Sequence, residues 1–331
     1  MGASAATPLM AQAGTVRGEL IWRERALLGL GTTLWIKAAH AAPERAEIAL
    51  DAAVRAIRDV ERQMSLFNPE SALQRLNSQG VLAAPEPALR EVMTLSREIA
   101  RRSGGSFDVS MQALWRAWDE ATKQGELPSE RVLRQACQRV NWRALEISAD
   151  QLRLNLRGMQ ISLNGIAQGY AADSARAALM AHGIEHAMID AGETALLGQA
   201  PGGQAWAFGI EDAVGARGRL SGQQPPPQLP VVQTDGRALA TSSDAHTSFS
   251  ADHRHHHILD PRTGYSPTHW ASVTVIAQRC VVADALTKVF FMLPPSRVFA
   301  AAQAWNVDIV LQDKTGQWRA SPGARAHLPR V

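Results

Sequence analysis

A chain of 331 residues, 46% of them hydrophobic, has ample material for a buried core and room for one large or two small domains. Its 34 basic and 31 acidic side chains nearly cancel to a formal +3 with no dense Lys/Arg run, which argues against nucleic acid as a partner. No apolar run reaches the ~18 residues that a membrane-spanning helix needs, and the two cysteines, Cys137 and Cys280, lack metal-ligand spacing and fit either two buried thiols or one disulfide.

The small, apolar start lacks a basic n-region and a long h-region, so residues 1–19 read as a flexible N-terminus, with or without a removed leader, ahead of a domain over 20–331. Leu27 to Ile36 is rich in β-formers and predicts a first strand. From Ala42 to Met64 apolar residues recur at three- and four-residue steps, the pattern of an amphipathic helix, and Pro69 forbids its continuation. Ser71 to Leu76 predicts a short helix, and Ala88 to Arg102 a longer one that stops at Ser103-Gly104-Gly105. A segment opened by Phe107-Asp108-Val109-Ser110 carries Trp115 and Trp118. Helices are expected over Pro128 to Val140 and Tyr170 to His182, two short strands within Ala144 to Leu156, and further strands at His186–Asp190 and Trp206–Ile210. The proline-rich stretch 223–230 cannot join a central strand and reads as a surface loop between two strands of one sheet rather than a domain linker. Val273–Ala277 predicts a strand, Ala283–Met292 a buried helix and Val307–Leu311 a late strand. Strands and helices interspersed without a strict βαβ period indicate an α+β or mixed α/β fold.

Three stretches carry chemistry-bearing residues. His257-Ile-Leu-Asp-Pro-Arg-Thr-Gly264 reads as a strand entering a tight turn. In Ala283-Asp284-Ala-Leu-Thr287-Lys288 one carboxylate interrupts an apolar run, and a buried Asp needs a partner. Ile161 to Asp173 passes from a strand-like start through a turn spaced by Gly165 and Gly169 into a helical pattern, and glycines there let backbone groups approach a ligand closely. In the run His253 to His257 only alternate members of a strand share a face, so those before His257 read as surface histidines of a hairpin. Thr241-Ser242-Ser243 reads as a loop cluster that donates hydrogen bonds to a nucleotide or caps a turn.

These stretches, with Leu30-Gly31-Thr32, Met64-Ser65-Leu66-Phe67 and Gly105-Ser106-Phe107-Asp108-Val109-Ser110, stand in the order of the motifs of one family. The chain resembles the FAD:protein FMN transferases of the ApbE type. The resemblance implies a single compact, T-fold-related α+β unit with a flavin nucleotide cleft. It also implies transfer of FMN from FAD to a Thr or Ser hydroxyl of a partner protein through a phosphoester, with release of AMP. The partner would be a flavin-accepting redox protein, a membrane-bound subunit, and the compartment the periplasm. Two other readings share the site: hydrolysis of FAD to FMN and AMP, and a flavin-binding carrier without catalysis.

Residue by residue, the resemblance places flavin contacts at Leu30, Phe67, Ser106, Phe107, Asp108, Ser162, Gln168 and Leu259. It assigns Mg²⁺ to Gly165 through its carbonyl, to Asp284 and to an oxygen ligand one helical turn on, for which Thr287 is the candidate. Asp284 and His257 are the catalytic candidates, the imidazole as a proton acceptor or a brace for the phosphate, with a structural bond to the turn at Asp260 as the bland alternative. Three positions depart from the family pattern: Lys288 stands where a Thr is usual, Gln168 where Lys or Glu is usual, and Asp190-Ala-Gly192-Glu193 replaces Asn-x-Gly-Gly. The last two resemble a subset associated with nitrous-oxide reduction. An ammonium beside a carboxylate forms an ion pair rather than ligating a cation. That leaves three arrangements open: Thr287 as the metal's oxygen ligand, a metal with fewer protein ligands, or Lys288 itself against the phosphates.

Overall fold

The computed structural model describes residues 19–215, 230–245 and 247–325. The apolar run expected as one strand is divided into a hairpin, β1 (Ile21–Gly29) and β2 (Thr32–His40), paired from Ile21 and His40 down to Gly29 and Thr32. Leu30 and Gly31 form the turn with φ of 50° and 81°, the two positive values that a tight hairpin requires. Leucine rarely adopts this conformation. Here its amide donates to Glu61 Oε1 at 2.8 Å, a tertiary contact that composition cannot announce.

The helices α1 (Pro43–Met64), α2 (Ala72–Gln79) and α3 (Pro87–Arg102) follow the apolar periodicity closely. Pro43 and Pro87 sit in the first turns of α1 and α3, where a missing N–H leaves no carbonyl unpaired, and the Ser71 hydroxyl caps α2 by accepting from Gln74 N. Strand β3 (Val81–Ala83), too short to have been expected, joins β4 (Leu145–Ile147) and β5 (Gln151–Leu154) in a three-stranded sheet. The tryptophan segment after Ser110 is a helix, α4 (Gln112–Lys123), and α5 (Glu130–Cys137) packs beside it.

The main sheet has eight strands, all antiparallel to their neighbours, and forms no closed barrel. Its order is β1, β2, β6 (His186–Asp190), β7 (Thr194–Leu197), β10 (Ala238–Ser243), β11 (Trp270–Ala277), β12 (Asp308–Asp313) and β13 (Trp318–Ala320). The short strands β8 (Ala207–Gly209) and β9 (Val231–Gln233) pair with each other. Residues 1–18 and 223–229, the expected flexible start and most of the proline-rich loop, lie outside the described residues. One face of the sheet carries α1, α6 (Ala167–Ala181) and α7 (Cys280–Phe291) side by side over the main core. Trp206, Ile210, Val232 and Ala324 pack against the other face. Two further helices, α8 (Pro295–Ala304) and α9 (Pro322–Arg325), complete the described chain.

Two contacts between α6 and α7 fix the part of the fold that matters most. Asp173 of α6 accepts the N–H groups of Cys280 and Val281 at 3.0 and 3.1 Å, so it caps the start of α7 and places a carboxylate at the positive end of that helix. Gly169 lies so close to α7 that a β-carbon on it would stand 2.5 Å from the Cys280 carbonyl oxygen and 2.8 Å from Asp284 Cβ. Only glycine permits this approach. Both cysteines are free thiols, Cys280 buried and Cys137 half-buried, which decides between the two states left open by the sequence.

Candidate active site

A cleft of ≈ 730 Å³ opens where segments remote in the chain converge. Phe67 follows α1, Ser106 to Val109 follow α3, and Ser162 to Gly165 lead into α6. Thr241 to Ser243 end β10, and His257 to Leu259 run into the turn at Asp260. Asn77 of α2 anchors the approach to Gly165: its amide accepts from Ile161 N at 2.6 Å and donates to Ile161 O at 2.9 Å, as a neighbouring strand would. On the far side Trp118 donates to the Gly264 carbonyl at 2.8 Å, which ties the histidine turn to α4.

Seven of the eight expected flavin contacts line this cleft: Phe67, Ser106, Phe107, Asp108, Ser162, Gln168 and Leu259. Phe67 is 74% exposed, an apolar ring held open to solvent. Leu30 is not in the lining; its carbonyl instead accepts from Gln168 Nε2 at 3.4 Å. Asp108 is turned inward, with one oxygen accepting from Ser110 N and Oγ and the other from Trp142 N. Burial raises its carboxyl pKa above the ordinary value, and those hydrogen bonds oppose the shift. Thr241-Ser242-Ser243 belongs to strand β10 rather than to a loop.

Asp284 is fully buried in α7 and behind the cleft wall rather than in it. Its Oδ2 accepts from Gly169 N at 3.0 Å, and its Oδ1 accepts from Lys288 Nζ at 2.5 Å. The same ammonium donates to the Asp284 carbonyl at 3.1 Å. Lys288 lines the cleft, and its stem runs past the glycine bend, where a β-carbon on Gly165 would stand 3.3 Å from Lys288 Cε. Thr287 shares the helix face expected from its i+3 spacing, but its hydroxyl donates back to the Asp284 carbonyl at 2.7 Å and accepts from Ser242 Oγ at 2.7 Å. Thr287 is fully buried. Glu193, also in the lining, accepts from Thr241 N at 2.9 Å. Burial first, and then the negative charge of Asp284, hold its carboxyl pKa well above the usual value.

His257 lines the same cleft, with Nδ1 3.1 Å from the Thr247 carbonyl oxygen. A carbonyl only accepts, so Nδ1 donates a proton in this contact, which fixes the orientation of the ring. Asp260 is engaged elsewhere, by the Arg262 guanidinium at 2.8 and 2.6 Å. The histidines before it are not all on the surface. His256 is buried against Phe291, and its pKa is pushed down to about 3 by burial; His255 stacks on Trp118 with ring centroids 4.9 Å apart. The alternation rule fails because this segment is an irregular loop joined by a single bridge between Ser248 and His256.

The family model of ApbE matches residues 30–311. The chain belongs to the ApbE family. A FAD:protein FMN transferase of Treponema pallidum (strain Nichols) is 29% identical over 90% of this chain and 86% of its own length. One from Vibrio cholerae is 28% identical over 79% of this chain and 78% of its own. The crystal structure of the ApbE protein from Thermotoga maritima superposes with a TM-score of 0.82 at 22% identity, covering 94% of this chain and all of that one. This establishes the fold as a single ApbE unit of mixed helix and sheet.

Against that family pattern, the residues at Asp284 do not fit a divalent cation. Both carboxylate oxygens are engaged, the Thr287 hydroxyl faces Ser242, and the Lys288 ammonium holds the position next to Asp284. Among the described residues no group of three or more His, Cys, Asp or Glu is arranged to hold a metal ion. Several lining residues had no sequence signal: Gln74, Asn77, Met111, Arg116 and Gln160 are polar or flexible side chains outside the motifs. Glu193 had one, as a carboxylate replacing a glycine.

Proposed function

We propose that this ApbE protein transfers FMN from FAD to a Thr or Ser hydroxyl of a partner protein. The observation that carries the reading is convergence. Motif residues from Phe67 to Lys288, remote in the chain, meet around one cleft whose size suits a flavin nucleotide. In the step assigned, the acceptor oxygen attacks the phosphorus of the FMN half of FAD. The bond from that phosphorus to the bridging oxygen breaks, and AMP leaves with the electron pair. His257 Nε2 takes the hydroxyl proton, while Thr247 keeps the ring oriented through Nδ1. Phosphoryl transfer of this kind is accelerated mainly by positioning and charge neutralisation. Phe67 and Phe107 offer the apolar surface that an isoalloxazine ring requires, and Gln168 a polar edge.

The acceptor we assign is a redox subunit of a membrane, and the compartment the periplasm; both rest on the family resemblance. No helix among the described residues is long and apolar enough to cross a membrane. The test is to incubate the purified chain with FAD and a protein that displays an accessible threonine. Covalent flavin fluorescence on that protein, with a peptide mass raised by one FMN less water, is the expected result. Free FMN without labelled protein would replace the reading by hydrolysis, and bound, unchanged FAD would replace it by a carrier role.

A further inference from the structure

We infer that the Lys288 ammonium is the built-in cation of this site, so that flavin nucleotide binding and FMN transfer in this chain proceed without a divalent metal. The inference rests on the transferase reading above and specifies how that site handles phosphate charge. The carboxylate that would hold a hard cation is fully buried, and its two oxygens receive an ammonium and a backbone N–H. The hydroxyl one turn on is consumed by its own helix carbonyl and by Ser242. The glycine bend, the third element, is in near contact with the lysine stem. Two of the three places where a cation would find oxygen, the Asp284 carboxylate and the Thr287 hydroxyl, are therefore engaged within the protein, and the lysine stem runs beside the third.

The replacement also presents charge in the right direction. Asp284 is shut behind the wall, whereas Lys288 is 22% exposed and faces the cleft, so a pyrophosphate entering there meets the ammonium and not the carboxylate. An ammonium has three donors. Two are used on Asp284, which leaves one for a phosphate oxygen. Lysine binds phosphate as a point charge, the part that a divalent cation plays elsewhere in phosphoryl transfer. The Asp284 carboxylate fixes that charge in place without a rotamer search. As the P–O bond to AMP breaks, negative charge grows on the departing phosphate, and an ammonium within reach stabilises it.

The test uses the full-length chain and three readouts. FAD titration by flavin fluorescence, with the protein stripped by EDTA and then with excess Mg²⁺, is expected to give dissociation constants within about twofold of each other. Transfer to the acceptor protein is expected to persist in EDTA, and calorimetric titration of Mg²⁺ into the FAD complex to give no saturable heat. Lys288→Thr, which restores a hydroxyl, is expected to lose transfer in EDTA and regain it with Mg²⁺. Lys288→Met strands a buried carboxylate and risks misfolding, so the wild-type response to chelator is the deciding measurement. FAD binding or transfer by the wild type only when Mg²⁺ is present would overturn the inference and leave the transferase reading intact. Absence of FAD binding under both conditions would overturn both.

Discussion

Replacing Gly169 by alanine would push a methyl group into the tightest contact between α6 and α7. The new carbon would lie 2.5 Å from the Cys280 carbonyl oxygen and 2.8 Å from both the Cys280 carbonyl carbon and Asp284 Cβ. None of these is the end of a flexible side chain, so the helices themselves must separate. Overpacking of this type costs about 1–3 kcal/mol. Separation also stretches the 3.0 Å hydrogen bond from Gly169 N to Asp284 Oδ2, and a bond to a charged group is worth about 1.5–3 kcal/mol. Alanine's better helix propensity returns about 1 kcal/mol. The expected loss is therefore about 3 kcal/mol, read as a lowered urea midpoint at unchanged m-value. FAD affinity should fall with it, because Asp284 and Lys288 ride on the displaced helix. A variant within about 0.5 kcal/mol of wild type would mean that the α6–α7 approach is not held by packing at Gly169, and the link from that glycine to the site would have to be dropped.

Three other perturbations separate stability from binding. Phe67→Ala should change stability by less than about 0.5 kcal/mol, since the ring is largely in solvent, yet weaken FAD binding about tenfold; unchanged affinity would remove Phe67 from the flavin site. Because the folded Glu193 carboxyl keeps its proton above the pH at which the unfolded chain releases it, wild-type stability is eroded as pH rises past about 4.3. Glu193→Gln cannot ionise, so its melting temperature relative to wild type should climb with pH; a difference independent of pH would show that the carboxyl is not held protonated. His256 has the opposite sign, since the unfolded chain gains a proton below about 6.5 that the folded ring refuses until about 3. Stability should drop as the pH is lowered through that window, by up to about 1.4 kcal/mol per unit, and His256→Gln, which keeps a donor for the Pro267 carbonyl, should flatten the slope; equal slopes in denaturant titrations would contradict the assignment.

What could be read from the residues was the order of long elements and the motif turns. Helices with clear apolar periodicity, α1 and α3 above all, and strand His186–Asp190 were legible because local pattern and final burial agree there. The Leu30-Gly31 turn was hidden because its left-handed leucine is held by Glu61, thirty-one residues away. Strands β3 and β7 are three and four residues long and have no room for a period to develop. At the site, the pairing of Asp284 with Lys288 was legible from i,i+4 spacing. The direction of Thr287 was not. Spacing places a side chain on a helix face but does not say that its hydroxyl will fold back on the preceding carbonyl. The burial of His256 was equally hidden, since an irregular loop obeys no period.

The cleft walls come from stretches reaching from residue 66 to residue 292, and this dictates when the pocket exists during folding. Loop-closure entropy must be met before such remote partners reward it, so the ligand-binding surface is among the last features to form. A ribosome-bound or proteolysed fragment ending before α7 would contain the aromatic wall and the glycine bend but no docked α7 to complete the pocket. Partial chains are therefore expected to be inert toward flavin rather than weakly active, and binding competence becomes a report on completion of the whole domain.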